Sequence, residues 1–154
     1  MAGKLRREIK QKRPFRSVQE EVILAVTRTA DAIAMRPTEV LREGGVSPSQ
    51  YNVLRILRGA GEEGLPCGEI SERMVRRDPD LTRLLDRLEK SGLVGRERDT
   101  KDRRVVRASI TKEGLALLDS LDAPVEESVR GALSHMPVKR LRELLALLEE
   151  VRGA

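Results

Sequence analysis

The chain of 154 residues carries 36% charged residues and a formal net charge of +5, and its aromatic residues are limited to Phe15 and Tyr51. This composition disfavours a β-sandwich and favours a core of aliphatic side chains between packed helices. The longest apolar runs are too short to cross a membrane, no signal-peptide pattern opens the chain, and lone Cys67 excludes an internal disulfide, so we expect a cytoplasmic protein without a membrane partner.

Positive charge is concentrated at the N-terminus and in the middle of the chain. Residues 1–16 hold seven Lys or Arg residues against Glu8 alone, and residues 66–110 hold twelve against nine acidic residues. This distribution is typical of a nucleic-acid footprint, and clustering by chance is the alternative. Because residues 1–16 lack sustained helical periodicity and contain Pro14, we predict a flexible basic arm there.

Two helical patterns follow the arm. The first begins at Ser17, and Pro37 is expected to break or kink it because proline removes an amide donor and clashes with the preceding turn. The second has the strongest start signal in the chain, a capping box over Ser47–Gln50 with Pro48 at the first helical position. We predict that this helix runs to about Arg58.

A helix-turn-helix pattern occupies the middle segment. An edge strand at Leu65–Pro66 precedes a short predicted helix over residues 67–75. After the turn 76–78 a second helix is predicted, with Asp78 as its N-cap, Pro79 at its first position and a left-handed stop at Gly92. Its apolar stripe consists of four leucines at helical spacing, Leu81, Leu84, Leu85 and Leu88. Two short helices joined in this way are typical of DNA-binding proteins.

Two short strands around a basic turn follow this helix. Residues 93–94 open the first strand, residues 105–110 form the second, and the turn Asp99–Arg104 holds three cations and two aspartates. Arginine is drawn to the negative potential of a narrow minor groove, and an aspartate two residues earlier can hold its guanidinium in a bidentate orientation. A solvated, charge-balanced turn is the alternative.

The remaining sequence predicts two helices with more apolar surface than a small winged module can cover. Thr111 caps the first, Pro124 should bend it, and Pro137 separates it from the last. The apolar stripe of the last helix has the spacing that usually meets a partner helix, and a two-fold homodimer is the commonest solution. Packing within a monomeric bundle is the alternative.

The sequence does not combine the groups that catalysis or metal binding needs. His135 is the only histidine, Cys67 is the only thiol, and neither a zinc-type cluster nor a glycine-rich phosphate loop is suggested. We therefore expect neither an enzyme nor a cofactor. Cys67 can act as an oxidation sensor if a helix N-terminus favours its thiolate, and a semi-buried structural role is the alternative.

Taken together, these elements resemble the MarR family of transcriptional regulators. The resemblance extends from Ser17 to Gly153 and includes SPSQYNVLRIL, TRLLDRLEKSGLV, ITKEG and the wing motif D-x-x-D-R-R, which is the most specific part. It implies a mainly α fold with a small β-wing, in the form of a winged helix-turn-helix with N- and C-terminal dimerisation helices. The implied partners are double-stranded DNA, a second copy of the chain and a small-molecule effector of open identity.

We assign residues 1–16 to the basic arm and residues 17–154 to a single MarR-like domain. Within it, residues 47–110 are the DNA-binding part, and residues 17–46 and 111–154 are the dimerisation helices.

The resemblance also assigns roles to individual residues. It implies that Thr82 and Arg83 contact bases and phosphates, and that Arg104, oriented by Asp102, enters the minor groove. The candidate DNA-binding residues are Arg76, Arg77, Thr82, Arg83, Arg87, Lys101, Asp102, Arg103 and Arg104. We predict a repressor whose pseudo-palindromic operator has half-sites about 10 base pairs apart. A redox-responsive regulator acting through Cys67 and a helical protein-interaction module are the alternatives.

Overall fold

The computed structural model describes residues 3–153, which form seven helices and three strands. In chain order they are α1 (Lys4–Glu8), α2 (Val18–Glu43), α3 (Pro48–Ala60), β1 (Leu65–Pro66), α4 (Cys67–Arg73), α5 (Leu81–Lys90), β2 (Val94–Arg98), β3 (Val106–Ile110), α6 (Lys112–Ala132) and α7 (Val138–Arg152). The mainly α winged helix-turn-helix fold predicted from the sequence is confirmed. Within residues 3–153, no helix combines the length and apolarity that crossing a membrane requires.

The basic arm contains α1, where the sequence pattern predicts no regular element. The Arg6 guanidinium donates to the carbonyl oxygen of Gln11 at 3.2 Å and also to that of Lys12, and these bonds close the loop that follows the helix. One side chain of the helix thus holds the backbone of the segment that follows it.

Helix α2 continues through Pro37 for 26 residues, so the predicted break does not occur. A proline inside a helix costs about 3 kcal/mol, chiefly through one lost hydrogen bond and a local clash. A helix of 26 residues forms many backbone hydrogen bonds, so the loss at one position is not sufficient to divide it. Helix α6 likewise continues through Pro124.

Of the described residues, 3–36 and 132–153 form one compact unit, and Pro37–Gly131 form a second. The boundaries lie inside α2 and α6. The assignment of residues 17–46 and 111–154 to dimerisation stays a prediction.

The second unit contains a continuous aliphatic core. Its largest fully buried side chains come from α3, α4, α5, β2 and α6, and they are Leu54, Leu57, Ile70, Leu85, Leu88, Leu118, Val53 and Val94. The leucine stripe of α5 is confirmed, because Leu84, Leu85 and Leu88 are buried and Leu81 packs against the same cluster. The burial of these leucines directs the polar face of α5 outward.

Local signals from the sequence define the ends of several elements. The capping box is confirmed, with the Gln50 amide 3.2 Å from Ser47 Oγ and the Ser47 amide 2.9 Å from Gln50 Oε1. At the end of α5, Gly92 has the predicted left-handed conformation (φ +73°) and donates its amide to the carbonyl oxygen of Glu89 at 2.9 Å. The Thr111 hydroxyl accepts the Gly114 amide at 3.1 Å and caps α6 as predicted.

The three strands form an antiparallel sheet in the order β1-β3-β2. The central strand β3 pairs Ala108 with Leu65 on one side and with Arg96 on the other. The predicted edge strand and the predicted strand pair are therefore confirmed.

Helices α2 and α7 leave large apolar side chains exposed within the first unit. On α2, Val18 is 73% exposed and Ile23 67%, and on α7, Val138 is 65% exposed and Val151 62%. Helix α7 has no buried residue among those described. Patches of this kind usually mark an interaction surface.

Candidate nucleic-acid interface

Helix α5 begins at Leu81 and is capped by Asp80, whose carboxylate accepts the Arg83 amide at 3.3 Å. The Asp78 carboxylate instead accepts the Asp80 amide at 2.9 Å and closes a turn before the helix. The predictions of Asp78 as the N-cap and Pro79 at the first helical position were therefore wrong. The same bonds give both acidic residues at the start of the helix an intramolecular role.

The outer face of α5 presents cations and hydroxyls to solvent. Its exposed polar residues are Thr82, Arg83, Arg87 and Lys90. Arg83 lies 3.3 Å from the Asp80 carboxylate while its side chain stays 76% exposed. Because an exposed ion pair of this kind contributes little, the guanidinium can exchange Asp80 for another acceptor at small cost.

Two carboxylates of the same helix are bonded to the wing by Arg96 of β2. The Arg96 guanidinium donates to Glu89 at 3.0 and 2.5 Å and to Asp86 at 2.5 Å, and its side chain is only 22% exposed. The hydrogen bond to Glu89 raises the pKa of Arg96 above its ordinary value despite the opposing effect of burial, and Asp86 adds to that rise. The single positive charge of Arg96 offsets one of these two negative charges, and the polar face of α5 is net cationic because Arg83, Arg87 and Lys90 are exposed on it.

Arg96, which joins α5 to the wing, was not among the site residues predicted from the sequence. It follows Asp86 by ten residues and Glu89 by seven, and a turn and a change of secondary structure separate it from both. The sequence contains only a weak signal for this contact. Arg96 lies on a strand directly after a helix with two carboxylates, but most arginines in such positions are solvated.

The wing turn between β2 and β3 is organised by Asp99. One oxygen of its carboxylate accepts the amides of Lys101 at 2.8 Å and Asp102 at 3.1 Å, and its own amide donates to the carbonyl oxygen of Val105 at 2.9 Å. The amides of Asp102 and Lys101, followed by the charge of Arg107, lower the pKa of Asp99. The turn is therefore built around a carboxylate whose ionised form its own contacts favour.

The tip of the wing exposes Lys101, Asp102, Arg103 and Arg104. The Asp102 carboxylate accepts the backbone amide of Arg104 at 3.0 Å. Within residues 3–153 no ion pair joins Asp102 to the Arg104 guanidinium, so the predicted bidentate contact is not formed in this structure. An aspartate bonds readily to the backbone two residues ahead, and this local contact takes the oxygen that the guanidinium would need.

The base of the wing is joined to the loop between α3 and β1 by Arg107 of β3. Its guanidinium donates to the carbonyl oxygens of Glu63 and Gly64, both at 3.1 Å, and to the Asp99 carboxylate at 3.4 Å. This residue was not among the predicted site residues either.

The turn between α4 and α5 presents Arg76 and Arg77 to solvent. Helix α4 ends at Arg73, two residues earlier than predicted, and the Val75 amide donates to Asn52 Oδ1 at 2.9 Å. All nine candidate DNA-binding residues thus lie on the exposed surface of one compact unit. Their contacts with DNA stay a prediction.

Cys67 lies at the start of α4 and packs against the hydrophobic core. Burial raises the pKa of its thiol, while the nearby Arg96 charge lowers it to a lesser extent. A raised pKa disfavours the thiolate that oxidation chemistry needs, so the environment of Cys67 gives no support to the redox alternative.

Comparison with known proteins points to transcriptional regulators. Residues 46–106 match the family model described as the MarR family. The chain is 34% identical to the HTH-type transcriptional regulator TtmR of Methylorubrum extorquens (strain PA1), over 88% of this chain and 68% of that protein. It is 26% identical to the homoprotocatechuate degradative operon repressor of Escherichia coli, over 86% and 88% of the two chains. It is also similar to the crystal structure of a MarR transcription factor from Planctomyces limnophilus, with 38% identity over 88% and 98% of the two chains and a TM-score of 0.68.

Proposed function

The chain belongs to the MarR family of DNA-binding transcriptional regulators, and on that premise we propose that it is a repressor that binds a pseudo-palindromic operator as a homodimer. The observation that carries this proposal is the outer face of α5, where three exposed cations outnumber the two carboxylates that share the charge of Arg96. A helix with this face suits the major groove, where phosphates and base edges both accept hydrogen bonds.

In the proposed complex the recognition helix reads the major groove. Thr82 and Arg83, in the first turn of α5, and Arg87, one turn later, are the side chains that contact base edges and phosphates. Arginine can bond to both acceptors of a guanine, so a change at Arg83 or Arg87 should alter sequence preference. Arg76 and Arg77, in the preceding turn, contact phosphates.

The wing makes the second contact with DNA in this proposal. Arg104 enters the minor groove, and Lys101 and Arg103 contact the adjacent phosphates. The Asp102 carboxylate lies one hydrogen bond from the Arg104 backbone, and a rotation of that carboxylate upon DNA binding would bring it to the guanidinium.

The exposed apolar side chains of α2 and α7 support the homodimer. Leu145 and Leu147 on α7 are 59% and 57% exposed, and Met35 on α2 is 64% exposed. Pairing such faces in a second copy removes them from water, and a two-fold axis then sets the two recognition helices about one helical turn of DNA apart. The name of the relative that represses a degradative operon supports repression as the outcome.

A small-molecule effector completes the proposal, as the family resemblance implies. We propose that it weakens DNA binding, and its chemical identity stays open. A thermal-shift screen with a panel of small organic acids would find candidates, and a compound that stabilises the protein should also raise its Kd for duplex DNA.

The proposal is tested by selecting bound sequences from a random duplex pool with the full chain. We expect an enriched pseudo-palindrome, a dimer in sedimentation, and a Kd that rises steeply with salt because bound phosphates release counterions. A monomer that enriches no sequence and does not shift duplex DNA would contradict the proposal and would favour a helical protein-interaction module.

A further inference from the structure

We propose that Arg107 is a positioning residue for DNA binding, and that it acts through the wing turn on Arg104. This inference rests on the proposed function, in which Arg104 is the minor-groove contact. Arg107 would not itself contact DNA, since its role is to hold the base of the wing against the loop between α3 and β1.

The first observation is that protein acceptors occupy the Arg107 guanidinium on all three nitrogens. Nε donates to the Glu63 carbonyl oxygen at 3.1 Å, Nη2 to the Gly64 carbonyl oxygen at 3.1 Å, and Nη1 to Asp99 Oδ2 at 3.4 Å. The side chain is 32% exposed and its Asp99 partner 18%. A planar fork bonded in this way has a restricted orientation, unlike the freely solvated arginines of the wing tip.

The second observation is that the loop at one end of this contact cannot shift easily. Gly64 has a positive φ of +60°, and a Cβ built on it would lie 2.1 Å from the carbonyl oxygen of Ala108 in β3. The loop therefore packs directly on the central strand. Arg107, in register with Pro66 of β1 and Glu97 of β2, extends that contact to the base of the wing.

The third observation is a continuous path from Arg107 to the wing tip. Asp99 uses Oδ2 for Arg107 and Oδ1 for the amides of Lys101 and Asp102, and the Asp102 carboxylate holds the amide of Arg104. Removing Arg107 leaves the Asp99 carboxylate with its two amide bonds alone and detaches the turn from the loop between α3 and β1, and the turn then loses the orientation that it gives to Arg104.

The test is a double-mutant cycle in the full chain, with the tightest duplex from the random pool as the probe at one salt concentration. Arg107→Lys keeps the charge, but a lysine cannot reach two carbonyls and a carboxylate together. We expect Arg107→Lys to weaken DNA binding about fivefold to tenfold in the wild-type background and less than about twofold in an Arg104→Ala background. The reason is that substitutions at coupled residues do not have additive effects on the binding free energy. Asp99→Asn, which keeps the oxygen for the two amides, should repeat this pattern.

Arg98→Lys is the matched control, because Arg98 lies on the same wing with an exposed side chain, and its binding should stay within about twofold of wild type. If Arg107→Lys binds like wild type, or if its effect is equal in both backgrounds, Arg107 is not a positioning residue. The inference is then overturned, while the proposed function is unaffected. If Arg104→Ala itself binds like wild type, the proposed contact between the wing and the minor groove is wrong, and this inference is wrong as well.

Discussion

The two proposed DNA-binding elements, helix α5 and the wing, are held in place by different physical interactions. Helix α5 rests on three buried leucines, and its orientation follows from the burial of apolar area in the core. The wing tip has no buried side chain from Lys101 to Arg104, and the Asp99 carboxylate together with a few backbone hydrogen bonds holds the turn. The comparison indicates that core substitutions should affect the helix, whereas single polar side chains should decide the geometry of the wing.

The largest expected effect comes from the core below the helix. Leu88→Ala removes a fully buried side chain and should lower the free energy of unfolding by about 2 to 5 kcal/mol, the range for leucine truncations that leave a cavity. Denaturant unfolding at fixed protein concentration measures it, with exposed Lys90→Ala as the control. Equal unfolding midpoints for the two variants would contradict the division between helix and wing.

Arg104→Ala should have the next largest effect, and it should affect DNA binding alone. Loss of a specific groove contact costs about 1 to 3 kcal/mol, which is a rise in Kd of about fivefold to 150-fold. Fluorescence anisotropy with the selected duplex measures it, and the unfolding midpoint should stay unchanged because Arg104 is exposed. A similar loss with Arg130→Ala, a surface substitution on α6, would show that the effect is not specific to the wing.

Arg96→Gln tests the connection between helix α5 and the wing. It leaves Asp86 and Glu89 without their shared cation beside the proposed DNA surface, so we expect binding to weaken about tenfold, or about 1.4 kcal/mol. Adding Asp86→Asn and Glu89→Gln to this variant should restore most of the affinity, because the repulsion of phosphates disappears. A triple variant as weak as Arg96→Gln alone would indicate that Arg96 contributes geometry and not charge.

The wing turn should depend on pH only in acid. Its contacts lower the folded-state pKa of Asp99, so the stability that they contribute is present above the ordinary aspartate pKa and is lost as the pH falls through the lowered value. Unfolding followed between neutral and strongly acidic pH should therefore show a small acid-dependent difference between wild type and Asp99→Asn, and the size of that difference should be constant near neutrality. A difference that varied around pH 7 would require another titrating group.

Cys67→Ser should have the smallest effect of all. Because burial raises the pKa of the Cys67 thiol, mild peroxide should leave DNA binding of the wild type and the variant equally unchanged. Loss of binding in peroxide by the wild type but not by Cys67→Ser would instead establish the redox alternative.

Prediction from sequence succeeded where neighbouring residues determine the outcome. The Ser47–Gln50 capping box, the Gly92 stop and the leucine stripe of α5 all depend on residues within one or two turns of each other. It failed for Asp78 as the N-cap and for a break at Pro37, where two local conformations compete, and a kink at Pro37 stays a prediction. An aspartate can cap a helix or close a preceding turn, and a proline can end a helix or remain inside one, according to the surrounding contacts.

By itself, the sequence determined the order of the elements from α2 onward, the apolar stripes and the basic turn, because these patterns depend on residues close together in the chain. Only the tertiary structure decided which polar groups hold the candidate site. Arg96 reaches carboxylates seven and ten residues away across a turn, and Arg107 reaches carbonyl groups 43 and 44 residues away. Such contacts follow no period in the chain, since they exist only after the core has brought strand, helix and loop together.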